Sequence, residues 1–204
     1  MISKTAITLL AALLFLAAAV LHPSAAQAPS GPEYTSDAQL KFPGRYRQWV
    51  YLTTGFDMSY NPTTEPGQHV FDNLFVNPEA YNLFLETGTW PDKTMLVLEN
   101  REAKGKGSIN QAGNYQGSEV TGVEVHVKDE ARFPGKWAFF IFDNAKTAKM
   151  VPTEATCYTC HADHAAVDTT FVQFYPTLLP IAKSKGTLST AYQKETAAQE
   201  QKQH

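Results

Sequence analysis

At 204 residues, with 43% hydrophobic residues and a formal net charge of -3, the chain has the size of one globular domain and lacks the basic excess that would grip nucleic acid or an anionic membrane surface. Its 12 Phe, 9 Tyr and 3 Trp suit a core built around a large flat cofactor, and suit an aromatic sheet core equally well. Only two cysteines are present, both in one short motif, so no thiol is left over for a disulfide elsewhere.

Residues 1–26 read as a secretory signal. Lys4 supplies the positive start, Ile7 to Leu21 is a continuous apolar run, and Ser24-Ala25-Ala26 offers the small residues a signal peptidase needs, with Ala26-Gln27-Ala28 as a second option. The run is shorter than the ~20 residues that span a bilayer, so the expectation is a periplasmic or secreted protein, with an uncleaved anchor as the alternative. Removal of residues 1–26 takes away one charge, Lys4, and moves the net charge from -3 to -4.

Residues 27–41, with Pro29, Gly31 and Pro32, read as a flexible leader, and the domain is expected over 42–184. Arg45 to Leu52 fits a strand or a short helix. Gly55 to Gly67, with Asn61-Pro62 and Pro66-Gly67, is a loop. Gln68 to Val76 is a strand. Asn77-Pro78-Glu79 then opens a helix, with Asn77 as N-cap, Pro78 in the first turn and Glu79 near the positive end; Gly88 closes it. Thr94 to Glu99 reads as a strand and the polar, Gly-rich 100–118 as a long loop without a phosphate-binding pattern. Val123, Val125 and Val127 alternate with Glu124, His126 and Lys128, a strand with one solvent face. Trp137 to Phe142 is an apolar strand. A helix is expected from His161 to Thr170 and a short one from Leu178 to Lys183. Residues 185–204 have little to pack and read as a mobile polar tail. The fold class that results is α+β, mainly antiparallel sheet with a few helices.

Chemistry concentrates in Cys157-Tyr158-Thr159-Cys160-His161, the C-x-x-C-H pattern of covalent c-type haem attachment. Two thiols at this spacing reach the two vinyl groups on one porphyrin edge, and His161 follows at the place from which an imidazole can ligate iron. A zinc site would need further ligands at close spacing, and His164 supplies only one. A thioredoxin-like dithiol belongs to a parallel α/β domain that the rest of the chain does not resemble. Export and haem c support each other, since c-type attachment in bacteria takes place outside the cytoplasmic membrane.

The sixth iron position would have to be filled from upstream, because no methionine follows the motif and His164 projects from the same helix. Met58, His69, Met95, His126 and Met150 are the candidates. Met95 reads as core, His126 as solvent-facing and Met150 as support for the motif's loop. An open distal site walled by aromatic side chains is the preferred expectation.

From Phe42 to Leu178 the chain resembles the cytochrome P-460 family, which includes the cytochromes c′-beta. The pieces that carry the resemblance are Tyr46-Arg47-Gln48-Trp49-Val50, Phe75-Val76-Asn77-Pro78-Glu79-Ala80-Tyr81, Val127-Lys128-Asp129, Arg132-Phe133, Trp137-Ala138-Phe139, the haem motif and Phe174-Tyr175-Pro176. The resemblance implies a largely antiparallel β fold, one five-coordinate haem c and a homodimer. It also implies hydroxylamine oxidation in members whose lysine is cross-linked to the porphyrin. That lysine position falls on Leu98, which has no amine, and the nearest lysine, Lys93, precedes the strand. The departure disfavours hydroxylamine oxidation and points to the c′-beta branch, whose members bind nitric oxide under a phenylalanine cap. Phe56, Phe71 and Phe75 are the candidates for such a cap. Glu154, three residues before Cys157, is the candidate proton acceptor, and Gln173 stands where some relatives carry a basic residue.

The leading functional expectation is therefore an exported monohaem c-type cytochrome with an open, mainly apolar distal site for a small gaseous or nitrogenous ligand such as nitric oxide. The alternatives are an oxidoreductase acting on hydroxylamine or peroxide, and a periplasmic electron-transfer cytochrome with a redox partner protein.

Overall fold

The computed structural model describes residues 30–59, 69–143 and 145–202. The signal reading of residues 1–26 and most of the loop after Gly55 lie outside these ranges. In chain order the elements are β1 (Leu40–Lys41), β2 (Val50–Phe56), β3 (Val70–Val76), α1 (Pro78–Thr87), β4 (Met95–Lys104), β5 (Tyr115–Lys128), β6 (Trp137–Phe142), β7 (Thr147–Ala148), α2 (Thr156–His164), α3 (Leu179–Lys185) and α4 (Thr190–Lys202). Single 3-10 turns occur at Tyr46–Gln48 and Val172–Phe174. β2 to β6 form one five-stranded antiparallel sheet in sequential order, and β1 pairs with β7. No described helix is long and apolar enough to cross a membrane.

The sheet is buried on both faces, which explains the unbroken run Met95-Leu96-Val97-Leu98 in β4. Met95 and Val97 enter a core with Tyr46, Val125 and Phe140, whereas Leu96 belongs to a second core with Phe84, Trp90 and Tyr175, against which Leu98 packs. Alternation along a strand sends successive side chains to opposite faces. On the first face a buried carboxylate, Glu99, is held by Arg47, Arg101 and the hydroxyl of Tyr46. These partners lower its pKa against the opposing effect of burial, the largest single contribution.

Several expectations need correction. Both ends of 100–118 are paired: β4 runs on to Lys104 and β5 begins at Tyr115, with Lys104 opposite Tyr115 and register shifts on both sides of Arg101. This end of the hairpin carries few apolar residues, so the period-2 signal is missing. The helix expected from 161 to 170 starts earlier, at Thr156, and ends at His164. Residues expected as a mobile tail form α4, with Tyr192 and Leu188 packed on the second core and Ser189 bonded through its Oγ to the Ala165 carbonyl at 2.6 Å. One aromatic and one aliphatic anchor in a polar stretch are too sparse for a helical periodicity to show.

α1 begins and ends where expected, but Asn77, at the N-cap position, makes no side-chain cap bond. Its Oδ1 accepts from the Met95 N–H at 2.7 Å, tying the helix start to β4. Gly88 closes the helix in the left-handed region, φ 75°, with its N–H on the Phe84 carbonyl at 2.7 Å. A Cβ there would stand 2.8 Å from Lys185 Cβ and 2.9 Å from Thr187 Oγ1. Gly88→Ala is therefore expected to destabilise by at least about 1–2 kcal/mol from backbone strain alone. Urea unfolding checks this, and an unchanged midpoint would contradict it.

Candidate functional site

α2 carries the motif. Its extent puts Cys157 and Cys160 three positions apart on one helix face, with His161 one turn beyond Cys157. None of the residues in α2 is buried. Cys157, Cys160 and His161 are all half-buried; of the three, His161 lines a cavity of about 640 Å³, while the two cysteines lie outside its lining. That volume lies in the range of about 300–1,000 Å³ typical of cofactor and small-molecule sites.

The chain turns back directly after α2, and this turn sets His161. Gln173 holds it, accepting from the Ala166 N–H at 3.0 Å and donating to the His164 carbonyl at 2.8 Å. The Thr169 carbonyl is thereby brought to 2.7 Å from His161 Nδ1. A carbonyl only accepts, so Nδ1 carries the proton and Nε2 keeps its lone pair, the state an imidazole needs to bind a metal. Burial lowers the pKa of His161, the Thr169 bond opposing it. The ring sits among Phe171 (4.2 Å between centroids), Phe139 (4.7 Å) and His126 (5.2 Å).

The cavity wall is the second face of the sheet, and its register lays down transverse rows. Leu96, His126 and Phe139 pair in one row, Leu74, Leu98 and Glu124 in the next, and Asp72, Asn100 and Gly122 in a third. Adjacent rows are about 7 Å apart, two residues along a strand. His126 stacks on Phe139 with centroids 3.9 Å apart and places Nε2 3.3 Å from Thr169 Oγ1. It is 7% exposed, so the expectation that it faces solvent is corrected. Burial, then the neighbouring His161, holds its pKa well below the ordinary value and the ring stays neutral.

Of the sequence candidates, Phe56, Leu98 and Met58 line the cavity with His126 and His161. Phe71 packs on Phe56 at 4.8 Å but is outside the lining. Phe75 lies toward the opposite face, against Tyr46 at 5.6 Å and Tyr51 at 5.9 Å, because it is one residue out of phase with Leu74. Glu154 is exposed in the loop before α2, beside Thr153 and outside the lining. His69 pairs with Asp57 near the rim, Met95 is in the first core, and the half-exposed Met150 is bridged to Phe140. Among the described residues no lysine lines the cavity. Nor is any group of three or more His, Cys, Asp or Glu placed to hold a metal on its own.

Asp72 and Glu124 are wall residues that the sequence reading passes over, although a lone acid in an apolar strand is a visible signal. The carboxyl of Asp72 is pushed up from 3.8 to about 6, first by burial and then by the charges of Glu124 and Asp57. Burial also raises Glu124. Since the folded value of Asp72 exceeds the unfolded one, the folded protein holds a proton that the unfolded chain has lost between them. Stability from this group is present below about pH 4 and is lost as pH rises through about 6. Asp72→Asn is expected to raise Tm above about pH 6 and to leave it unchanged near pH 4. Thermal melts across that range test this; a variant equally stabilised at both ends would contradict the linkage.

The donor set fits a porphyrin with two thioether positions, an oriented imidazole and aliphatic and aromatic walls. A family model described as Cytochrome P460 matches residues 43–172. No curated protein matches the chain.

Proposed function

Because the chain belongs to the cytochrome P460 family of haem-binding cytochromes, we propose that it carries one haem c, tethered through Cys157 and Cys160 and ligated by His161, with the sixth position open to a small ligand such as nitric oxide. The observation that carries this reading is the 2.7 Å bond from His161 Nδ1–H to the Thr169 carbonyl, which directs the Nε2 lone pair away from the turn that holds the ring. When bound, the haem supplies a redox-active iron able to take an exogenous ligand. The residues contribute the rest. Thr169 fixes the tautomer, Phe139 and Phe171 hold the imidazole plane, and Leu74, Leu96, Leu98 and Phe56 keep much of the cavity wall free of donors. A wall of that kind disfavours ligands that need polar stabilisation and tolerates nitric oxide. Export on the reading of residues 1–26 and a homodimer are parts of the same proposal.

The oxidoreductase reading is favoured by one observation, the carboxylates of Asp72 and Glu124 on the wall, both with pKa raised by burial, Asp72 to about 6, so that they can accept and return a proton. Leu98 on the lining offers no amine for a cross-link, which weighs against hydroxylamine oxidation. An optical spectrum of the reduced protein with and without nitric oxide separates the readings. A high-spin ferrous spectrum that changes on adding the gas is expected. A low-spin spectrum indifferent to it would contradict the open site, and a strongly red-shifted ferrous Soret band would restore the cross-linked enzyme.

A further inference from the structure

We propose that Asp72 and Glu124 are the specificity-determining residues of the cavity, excluding anionic ligands and admitting neutral or protonated nitrogenous ones. The inference rests on the open haem site proposed above. The groups that face the cavity are Asp57 at the end of β2, Asp72 from β3, Glu124 and His126 from β5, Tyr175 from the C-terminal segment and His161 from α2. Among the described residues no lysine or arginine lines the cavity, so none of them supplies a cation there to balance the carboxylates.

The three acids are not equivalent. Asp57 is already engaged, by His69 and by the Val70 N–H at 2.9 Å, and these bonds hold its pKa down. Asp72 accepts one bond, from Asn100 Nδ2 at 3.1 Å. No described residue hydrogen-bonds or ion-pairs with Glu124. Beside Asp72, the buried Oδ1 of Asn100 is an acceptor without a hydrogen-bond partner. Asn100 is outside the lining, so what this part of the wall presents to the cavity is the negative charge of the two acids.

A small ligand entering such a space is sorted by charge before it reaches iron. Asp72 is half-buried and Glu124 exposed on the wall, so an anion entering the cavity is repelled by both carboxylates, as in a cleft lined by one sign of charge. A neutral ligand escapes that penalty, and one with N–H donors has carboxylate acceptors to bond. Leu98, paired with both Leu74 and Glu124, keeps the middle of the wall apolar, so the selection falls to the acids on either side of it.

The test uses the full ferric haem protein, titrated by absorbance with azide as the anionic probe and imidazole as the neutral one. In Asp72→Asn with Glu124→Gln, azide affinity is expected to rise about tenfold or more relative to imidazole affinity. Each single substitution should give part of that rise, so the result does not depend on the double variant folding. An azide-to-imidazole ratio unchanged in all three variants, with both probes binding, overturns this inference and leaves the open site standing. Imidazole binding without azide in every variant likewise overturns this inference alone, and failure of both probes to bind the unaltered protein and all variants overturns both.

Discussion

Replacing His161 with glycine is expected to abolish the characteristic spectrum of the reduced protein, and imidazole added from solution is expected to restore it. The side chain is the only group placed to supply an axial imidazole from α2, and its orientation depends on a backbone carbonyl that the substitution leaves in place. Thr169 can still accept from the Nδ1–H of a free imidazole, with Phe171 and Phe139 as ring walls. Loss of an orienting hydrogen bond around a metal ligand costs about 10–100-fold in affinity or activity, so loss of the ligand itself should exceed the upper end of that range. His164→Ala serves as control, since His164 is half-exposed and pairs with Glu195 at 3.1 Å. The pair of results that would contradict the assignment is an unchanged spectrum in His161→Gly with a changed one in His164→Ala.

Trp90→Ala is expected to cost about 3–5 kcal/mol of stability, the range for truncating a fully buried large aromatic residue. Trp90 is 1% exposed and packs on Phe84 with ring centroids 4.3 Å apart. It also reaches the site: its Nε1–H donates to Thr170 Oγ1 at 2.7 Å, and that hydroxyl donates in turn to the Val167 carbonyl at 2.8 Å. The Val167–Thr170 turn presents the carbonyl that orients His161. The same variant should therefore perturb the haem spectrum as well as the melting midpoint. Trp90→Phe, which keeps much of the packing and removes the donor, separates the two effects. Equal stability losses in both variants would locate the whole effect in the hydrogen bond, against the packing account. Stability by chemical denaturation and the ferrous spectrum are the paired measurements.

What was legible in the sequence was local. Pro78 and Gly88 bound a helix because one fits the first turn and the other the left-handed exit. Trp137 to Phe142 is a strand because every residue is apolar and the sheet is covered on both faces. The spacing of the two thiols and the histidine names them as candidates for haem attachment. What was not legible depended on what covers the sheet. Glu124, His126 and Lys128 alternate with valines and read as solvent-facing; Glu124 is exposed on the cavity wall, but His126 and Lys128 are buried. Lys128 donates to the Trp90 carbonyl at 2.7 Å, and His126 stacks under Phe139. No period distinguishes a face turned to water from one turned to a cavity. Phe75 illustrates the same gap, since a shift of one residue relative to Leu74 carries it toward the other core. Gln173 reads as a neutral replacement beside the haem, whereas its amide staples the turn after α2.

The central claim, a porphyrin tethered at residues 157–161, is tested most directly by protease digestion of the purified protein followed by mass measurement of the peptide that contains Cys157 and Cys160. The account predicts a peptide heavier by one haem, with neither cysteine available to a thiol-alkylating reagent. A peptide of unmodified mass in which both cysteines alkylate, from protein matured with its haem-attachment machinery, would contradict it.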